Sequence, residues 1–292
     1  MTAVPVLALV LAASPLRVSL APPAAPQGSV VRVVVTSAAP LASAVLVDGE
    51  TRVILERADG GTRFSGLLGV DFEAKPAQKT VIVEGTDAAG AALSATAPLR
   101  VVARRFPVNR LTVDPKYVEP PPGEMERIGR EREAFRRAFA KALPERIWAG
   151  RFALPVEAET RGNFGARRVY NGRTRSRHAG LDLAAPSGAA VAAPAAATVV
   201  LAGDFYFPGG SVLLDHGGGL MTMYFHLSRI DVKEGDRVAT GQEIGAVGAT
   251  GRATGPHLHW AARLHGARID PAALLSLPAL PAFRPPGPPT RD

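Results

Sequence analysis

The residues most suited to chemistry in this chain are two histidines near its C-terminal end, His257 and His259, separated by a single leucine. On a β-strand side chains alternate between faces, so residues two apart point the same way at a separation of about 6.6 Å. Two imidazoles at that spacing can serve one reaction centre, one as a metal ligand and the other as a proton carrier. Because His-x-His alone is a weak indication of a functional site, its interpretation depends on the other candidate residues of the chain.

Two further candidate ligands lie upstream, in the segment RHAGLDLAAP, where His178 and Asp182 are four residues apart. On a straight strand their side chains would share a face but stand about 13 Å apart, which is too far for one ion. Gly180 and the turn at 186–188 allow the chain to bend and bring them together. One histidine of the C-terminal pair would supply a third ligand, which leaves the open position typical of catalytic zinc.

The segment MTMYFHLS adds Tyr224 and His226, which are two apart and therefore expected to face alike on a strand. His226 would be an unligated imidazole near the metal, with a pKa suited to proton transfer. The other two histidines, His216 and His265, lie at turns and are interpreted as structural or solvent-exposed. Because the chain has no cysteine, any metal must be held by His, Asp or Glu.

The ordered set of motifs resembles the lysostaphin/LytM-type zinc metallopeptidases. Over about residues 148 to 275 the matching motifs are His178-x3-Asp182, Tyr224-x-His226-Leu227-Ser228, Thr250-Gly251 and Gly255-Pro256-His257-Leu258-His259. The resemblance implies that the zinc ligands are His178, Asp182 and His259, and that the catalytic histidines are His226 and His257. Tyr224 is assigned to substrate binding, with packing beside the groove as the alternative.

The resemblance also implies a zinc-dependent endopeptidase that hydrolyses peptide bonds in peptidoglycan stem peptides or cross-links. Because all five site residues are present, we favour this enzyme over the alternative, a non-catalytic zinc-binding cell-wall or amidase-activator module. A diaminopimelate-type direct cross-link and a glycine-rich bridge are both substrates of the family, and residue spacing does not decide between them.

The secondary structure and domains around these residues are predicted from the composition and pattern of the chain. With 30 glycines, 26 prolines and many Val-rich alternations, the chain is predicted to be mainly β. The expected segments are a signal-like segment and linker (1–28), an Ig-like β-sandwich (29–103), an extended linker and amphipathic helix (104–146), a LytM-type antiparallel β-sheet domain of the duplicated hybrid motif kind (147–276) and a Pro-rich tail (277–292).

The clearest helix is predicted over residues 124–142, ahead of Pro144. Its apolar face comprises Met125, Ile128, Phe135, Phe139 and Ala142. Arg and Glu cover the opposite face. Such a helix can lie on a membrane or pack between two domains, and packing is the commoner outcome.

Residues 3–13, AVPVLALVLAA, are too few to span a bilayer, which needs about 20 residues. We interpret them as the apolar part of a secretion signal and expect export to the periplasm or cell envelope, with no other transmembrane anchor. The net charge of +8 favours anionic partners such as nucleic acid, lipid headgroups or acidic wall polymers, and the resemblance implies peptidoglycan. The basic residues are scattered, which argues against nucleic acid. The N-terminal domain is a candidate contact for a wall-associated protein.

Overall fold

The computed structural model describes residues 16–281, and for Thr174 and Arg175 it describes the backbone only. The apolar run at 3–13, interpreted as a secretion signal, lies outside the described residues, as does most of the Pro-rich tail. Within residues 16–281, no helix combines the length and the apolar character needed to cross a membrane.

The N-terminal region consists of two β-sheets around a core of Val, Leu and Phe. Its strands are β1 (Leu16–Ala21), β2 (Ala24–Pro26), β3 (Val30–Ser37), β4 (Leu41–Asp48), β5 (Thr51–Ile54), β6 (Glu56–Ala58), β7 (Arg63–Gly69), β8 (Ala77–Asp87) and β9 (Ala92–Val102). One sheet has the order β1-β3-β7-β6 and the other β2-β9-β8-β4-β5. Every second residue of β3 is buried, which is the pattern of a strand with one face on a core. The Ig-like relationship stays a prediction.

The stretch at 21–28, which was expected to be a linker, is part of this region. β1 begins at Leu16, and β2 pairs in parallel with β9. The backbone amide of Gly28 donates to the carbonyl of Val70 at 3.0 Å. The prolines suggested a break in structure, but β2 is an edge strand, where a missing N–H costs no ladder hydrogen bond.

The segment between the two β regions contains strand β10 (Val108–Leu111) and helix α1 (Met125–Ala140). The helix prediction is confirmed to within two residues at each end. Phe135 packs edge-on against Phe205 and Phe225, with ring centroids 5.0 and 6.0 Å apart. Helix α1 therefore packs on the sheet that follows it in the chain, whereas packing between the two domains was expected.

The C-terminal region is an antiparallel β structure, as expected. Its elements are β11 (Glu159–Thr160), β12 (Arg167–Tyr170), β13 (Arg173–Arg177), β14 (Gly180–Ala184), β15 (Ala190–Ala192), β16 (Ala197–Phe205), β17 (Gly209–Asp215), β18 (Leu220–Leu227), β19 (Arg229–Ile230), β20 (Arg237–Val238), β21 (Glu243–Ala246), β22 (Leu258–Leu264), β23 (Ala267–Ile269) and α2 (Ala272–Leu275). The main sheet has the order β11-β14-β22-β18-β17-β16-β20, with β23 on β22. A smaller sheet, β10-β12-β13, begins with the strand from the linking segment.

Polar and aromatic contacts join the two β regions. Arg268 on β23 donates to both carboxylate oxygens of Asp71 at 2.9 and 3.0 Å. The ring of Phe72 lies edge-on to Phe106 of the linking segment and Phe164 of the C-terminal region, at 6.0 and 5.5 Å. The N-terminal sheets are thereby held against the end of β22 and β23.

Candidate metal centre and groove

Three side chains meet where β14 pairs with β22. Nε2 of His178 lies 2.8 Å from Nδ1 of His259 and 3.0 Å from Oδ1 of Asp182. Nδ1 of His259 lies 2.9 Å from the same carboxylate oxygen. All three residues are buried. Two nitrogens and one oxygen thus form a small triangle of potential metal ligands.

The pairing of the strands produces this triangle. Asp182 lies directly opposite His259 in the β14–β22 register. His178 precedes β14, and its backbone amide donates to Ala166 at 2.8 Å. The expected bend therefore lies before Gly180, where the chain stops pairing with Ala166 and begins to pair with β22. The turn at 186–188 follows β14 and takes no part in bringing the ligands together.

Gly180 lies between the two ligands on the same face of β14. A Cβ atom at this position would stand 2.5 Å from Nε2 of His259 and 2.8 Å from the carbonyl oxygen of Trp260. The imidazole of His259 therefore occupies the space that any other side chain at position 180 would need. This close approach explains why a glycine stands between the two ligands.

Contacts behind the ligands hold them in place. Nδ1–H of His178 donates to the carbonyl oxygen of Asn163 at 2.9 Å, which leaves the Nε2 lone pair for a metal. The second oxygen of Asp182 accepts hydrogen bonds from Asn163 at 2.8 Å and from Arg168 at 2.7 Å. The ring of Phe225 stacks on that of His259 at 5.4 Å. Sequence reasoning missed Asn163, Arg168 and Phe225, because none has a ligand-type side chain or a fixed spacing to the motifs.

The protonation state of these groups suits a metal. Burial opposes ionisation of Asp182, but the hydrogen bonds from His178 and His259 outweigh it and hold its pKa far below the ordinary value. Burial lowers the pKa of His259 to about 4, against the opposing effect of Asp182. An ionised carboxylate beside a neutral imidazole is the state that metal binding requires.

The donor set fits zinc in chemistry and in size. His nitrogen and Asp oxygen are ordinary zinc ligands, and three protein ligands leave one position open. Tetrahedral zinc with bonds of about 2.0–2.1 Å would hold its ligand atoms roughly 3.3 Å apart. The triangle would need to open by only a few tenths of an ångström.

His226 and His257 form a second pair beside the triangle, with ring centroids 4.8 Å apart. Nδ1–H of His226 donates to the carbonyl of Thr250 and Nδ1–H of His257 to that of Gly255, each at 2.8 Å. Nε2 of His257 lies 3.7 Å from Oδ1 of Asp182. Burial, followed by the neighbouring histidines, lowers the pKa of His226 to about 3, so this imidazole is neutral. Each ring thus has its Nδ1 proton bound by a backbone carbonyl beside the ligands.

Tyr224 does not face the groove, so its assignment to substrate binding is wrong. Its side chain is fully buried in the main core, with its hydroxyl 2.8 Å from Oγ1 of Thr222. The reason is a β-bulge, in which Phe225 and His226 both lie opposite Ser211. His226 has a φ of 68°, so the alternation of faces is broken between Tyr224 and His226.

The remaining two histidines lie outside the centre. His216 is buried, with Nε2 2.8 Å from Oγ1 of Thr222 and Nδ1 3.0 Å from the carbonyl of Ala196. His265 lies in the turn between β22 and β23, packed against Gly219. For His216 the structural interpretation is therefore confirmed.

The metal centre lies between two cavities that together form a groove. One, of about 300 Å³, is lined by Asp182, His257 and residues of β10. The other, of about 410 Å³, is lined by His178, His226, His259 and the Phe135 and Phe139 rings of α1. Arg168, Tyr170 and Arg252 line both cavities. The linking segment and α1 thus supply walls of the same groove.

Comparison with known proteins agrees with this geometry. The model of peptidase family M23 matches residues 176–271. The peptidoglycan DD-endopeptidase ShyA of Vibrio cholerae is 40% identical over 119 residues, which cover 40% of this chain and 28% of that protein. The DD-carboxypeptidase/endopeptidase Mpg of Neisseria meningitidis is 42% identical over 97 residues, 33% of this chain and 22% of that protein. The chain therefore spans about a quarter of the length of these relatives.

The likeness also extends beyond the matched family region. A crystal structure of a peptidase M23 from Pseudomonas aeruginosa superposes with a TM-score of 0.66 at 32% sequence identity. The superposition covers 85% of this chain and 94% of that chain. It therefore includes much of the chain that precedes the metal centre.

Proposed function

Because this chain belongs to peptidase family M23, we propose that it is a zinc-dependent endopeptidase that hydrolyses peptide bonds in peptidoglycan stem peptides or cross-links. The relative ShyA, whose name describes a peptidoglycan DD-endopeptidase, supports peptidoglycan as the substrate. The observation that carries the proposal is the arrangement of five side chains. Three converge on one point with donor atoms 2.8–3.0 Å apart, and two more imidazoles lie beside them with Nδ1 bound to backbone carbonyls.

His178, Asp182 and His259 would hold the zinc ion. When bound, zinc supplies Lewis acidity at its open fourth position and makes a water there more acidic. Asn163 and Arg168 keep the second oxygen of Asp182 occupied, so that Oδ1 stays directed at the ion.

The two remaining histidines carry the proton transfers. The carbonyl oxygens of Thr250 and Gly255 accept hydrogen bonds from Nδ1 of His226 and His257, so Nε2 is the nitrogen of each ring that is available for proton transfer. One of them takes a proton from the attacking water. The imidazolium so formed has an N–H at Nε2, which can then stabilise the developing oxyanion or return the proton to the leaving amine.

The proposed enzyme is exported and works in the periplasm or cell envelope, where peptidoglycan lies. We further propose that the N-terminal β region is the contact for a wall-associated protein. Its two sheets contribute no side chain to the metal centre or to either groove cavity among the residues described. That separation supports a positioning role rather than a catalytic one.

Digestion of purified peptidoglycan by the zinc-loaded, chelator-treated and zinc-reloaded protein tests the proposal. We expect soluble muropeptides from the loaded and reloaded protein and none after chelation. The alternative function, a non-catalytic zinc-binding cell-wall or amidase-activator module, predicts binding to peptidoglycan without release of muropeptides in any of the three states. Peptide bond cleavage is identified by the new amine and carboxyl ends in the mass of the products.

A further inference from the structure

Arg252 is a cation in the middle of the groove that has no carboxylate partner within residues 16–281. It lines both cavities, together with Arg168 and Tyr170. Its one side-chain hydrogen bond among the described residues runs from Nη1 to the carbonyl oxygen of Tyr117, at 3.5 Å. That distance is at the limit for a hydrogen bond, so most of the donors of the guanidinium are unused.

Two aromatic rings pack against this guanidinium. Its central carbon lies 4.7 Å from the ring centroid of Tyr170 and 4.9 Å from that of Phe207. Such stacking orients a guanidinium and leaves the N–H groups at its edge available to a planar anion. The stacked group is therefore oriented for a ligand before the ligand arrives.

The backbone around Arg252 is equally well fixed. Its amide donates to the carbonyl of Phe207 at 2.7 Å. Oγ1 of Thr250 accepts from the amide of Gly210 and donates to the carbonyl of Leu227, both at 2.9 Å. The same loop carries the carbonyl that orients His226. Arg252 thus sits on a rigid loop shared with a proposed catalytic histidine.

The charge around Arg252 is unbalanced. Arg168 already donates to Asp182, the acidic residue among those that line the two cavities. Nε of Arg168 is itself buried and has no hydrogen-bond partner in the described part of the chain. Burial lowers the pKa of Arg252, and the charge of Arg168 acts in the same direction, although an arginine stays protonated at neutral pH. An anion that entered the groove would offset the unfavourable electrostatic energy of these neighbouring, partly buried positive charges.

Two other arginines that are at least partly buried contrast with Arg252. Arg146 pairs with Glu56 at 2.7 Å and Arg268 with Asp71 at 2.9 Å. Those side chains join elements of the fold. Arg263 shares the lack of a carboxylate, since it stacks on Phe139 at 4.1 Å and has no ion pair among the described residues. It lies on the same face of β22 as His259, about 13 Å further along the strand.

We propose that Arg252 is a specificity-determining residue that binds a carboxylate of the substrate peptide next to the scissile bond. This inference rests on the proposed function, and it selects among peptidoglycan substrates. Peptides with a carboxylate beside the cleaved bond, as in a direct diaminopimelate-type cross-link, are preferred over a glycine-rich bridge, which has none. The planar fork of the guanidinium matches a carboxylate through two parallel hydrogen bonds.

The kinetic test compares two substrates with the zinc-loaded full-length protein. One is a purified cross-linked muropeptide dimer with free carboxylates, and the other is the same dimer with its carboxylates converted to carboxamides. Wild-type kcat/KM should fall on the order of 10- to 100-fold with the amide, the value of a charge-assisted hydrogen bond. Arg252→Met should lose a similar factor on the carboxylate dimer and little on the amide. The kcat/KM of Arg252→Lys on the carboxylate dimer should lie between the values of the wild-type protein and Arg252→Met.

Arg263→Met is the matched control, since it removes an unpaired arginine from the same cavity without touching position 252. The inference is overturned if Arg252→Met keeps the wild-type preference for the carboxylate dimer. It is equally overturned if Arg263→Met loses that preference to the same extent, because the effect would then come from overall groove charge. Thermal unfolding should show Arg252→Met to be no less stable than wild type.

Binding separates this inference from the proposed activity. The zinc-loaded His257→Ala protein, with and without Arg252→Met, is titrated calorimetrically with both dimers. Tighter binding of the carboxylate dimer that depends on Arg252 supports the inference even if the wild-type protein cleaves neither dimer. Equal affinity of the two proteins for the carboxylate dimer contradicts it, whatever the activity.

Discussion

The imidazole of His259 fills the space beside Gly180 that a side chain would otherwise occupy. A Cβ atom there would stand 2.5 Å from Nε2 of the imidazole. The glycine between His178 and Asp182 is therefore a steric requirement of the metal centre and not merely a flexible point in the strand. The first prediction follows from this contact.

Gly180→Ala should weaken zinc binding by about 10- to 100-fold, the range seen when a supporting contact of a metal ligand is lost. The added methyl group must displace His259 or the backbone of Trp260. Zinc affinity, measured by competition with a chelator, checks this. Gly129→Ala is the control, because its Cβ position has no described atom within 4 Å apart from the neighbouring helix backbone, and alanine in helix α1 should raise stability by up to about 1 kcal/mol. Unchanged affinity in Gly180→Ala would contradict the steric argument.

Asn163→Ala should also reduce zinc affinity by about 10- to 100-fold. Asn163 contacts two of the proposed ligands. Its side-chain amide donates to Asp182, and its backbone carbonyl accepts a hydrogen bond from His178. Alanine keeps the backbone contact and removes the side-chain contact. Asn109→Ala, in the wall of the same cavity, should leave zinc affinity at the wild-type value. Equal affinities of the two variants would show that Asn163 does not support the ligands.

Asp71→Asn should destabilise the contact between the two β regions by about 1.5–3 kcal/mol at pH 7, the value of charge-assisted hydrogen bonds. Burial raises the pKa of Asp71, but its hydrogen bonds from Arg268 and the backbone outweigh burial and lower it below the ordinary value of 3.8. A carboxyl group with a lowered pKa stabilises the fold above its unfolded-state pKa. That stability is lost as the pH falls through the lower, folded-state value.

Chemical unfolding of the wild-type protein and Asp71→Asn from pH 7 to pH 2 measures this contribution. The difference in unfolding free energy should be full above about pH 4 and shrink below it. Glu234→Gln is the control, since Glu234 pairs with Lys141 on the surface and its loss should cost at most about 1 kcal/mol. A difference for Asp71→Asn that does not change with pH would contradict the assignment.

Deletion of residues 1–145 should lower activity at least about tenfold relative to deletion of residues 1–103. The longer deletion removes β10 and the rings of Phe135 and Phe139, which line the groove. It also uncovers Phe225, which stacks on His259, and exposed apolar surface costs about 25 cal/mol per Å². Activity per bound zinc on muropeptides checks this. A rise in activity after the longer deletion would instead show that the segment blocks the groove.

Much of the metal centre could be predicted from the chain, because its ligands are of rare type and stand in short motifs. The assignment of His178, Asp182 and His259 as ligands required only the chemistry of their side chains and the motif pattern of the family. The order of His257 and His259 did not follow from spacing. In the structure it follows from register, since Asp182 lies opposite His259.

The rest depends on tertiary structure. Tyr224 was placed in the groove by strand alternation, and the bulge at Phe225 and His226 breaks that alternation. Asn163 and Arg168 lie 19 and 14 residues from Asp182, at distances that no local period relates to it. Prolines made 21–28 look like a linker, whereas an edge strand accommodates them.

The proposed mechanism is tested most directly by hydrolysis of a purified cross-linked muropeptide dimer by the wild-type protein and His257→Ala, each shown to bind one zinc ion. We predict that the wild-type protein converts the dimer to monomers and that His257→Ala does so at least about 100-fold more slowly, the usual contribution of a general base. Equal rates in the two zinc-loaded proteins, or no hydrolysis by either, would contradict it.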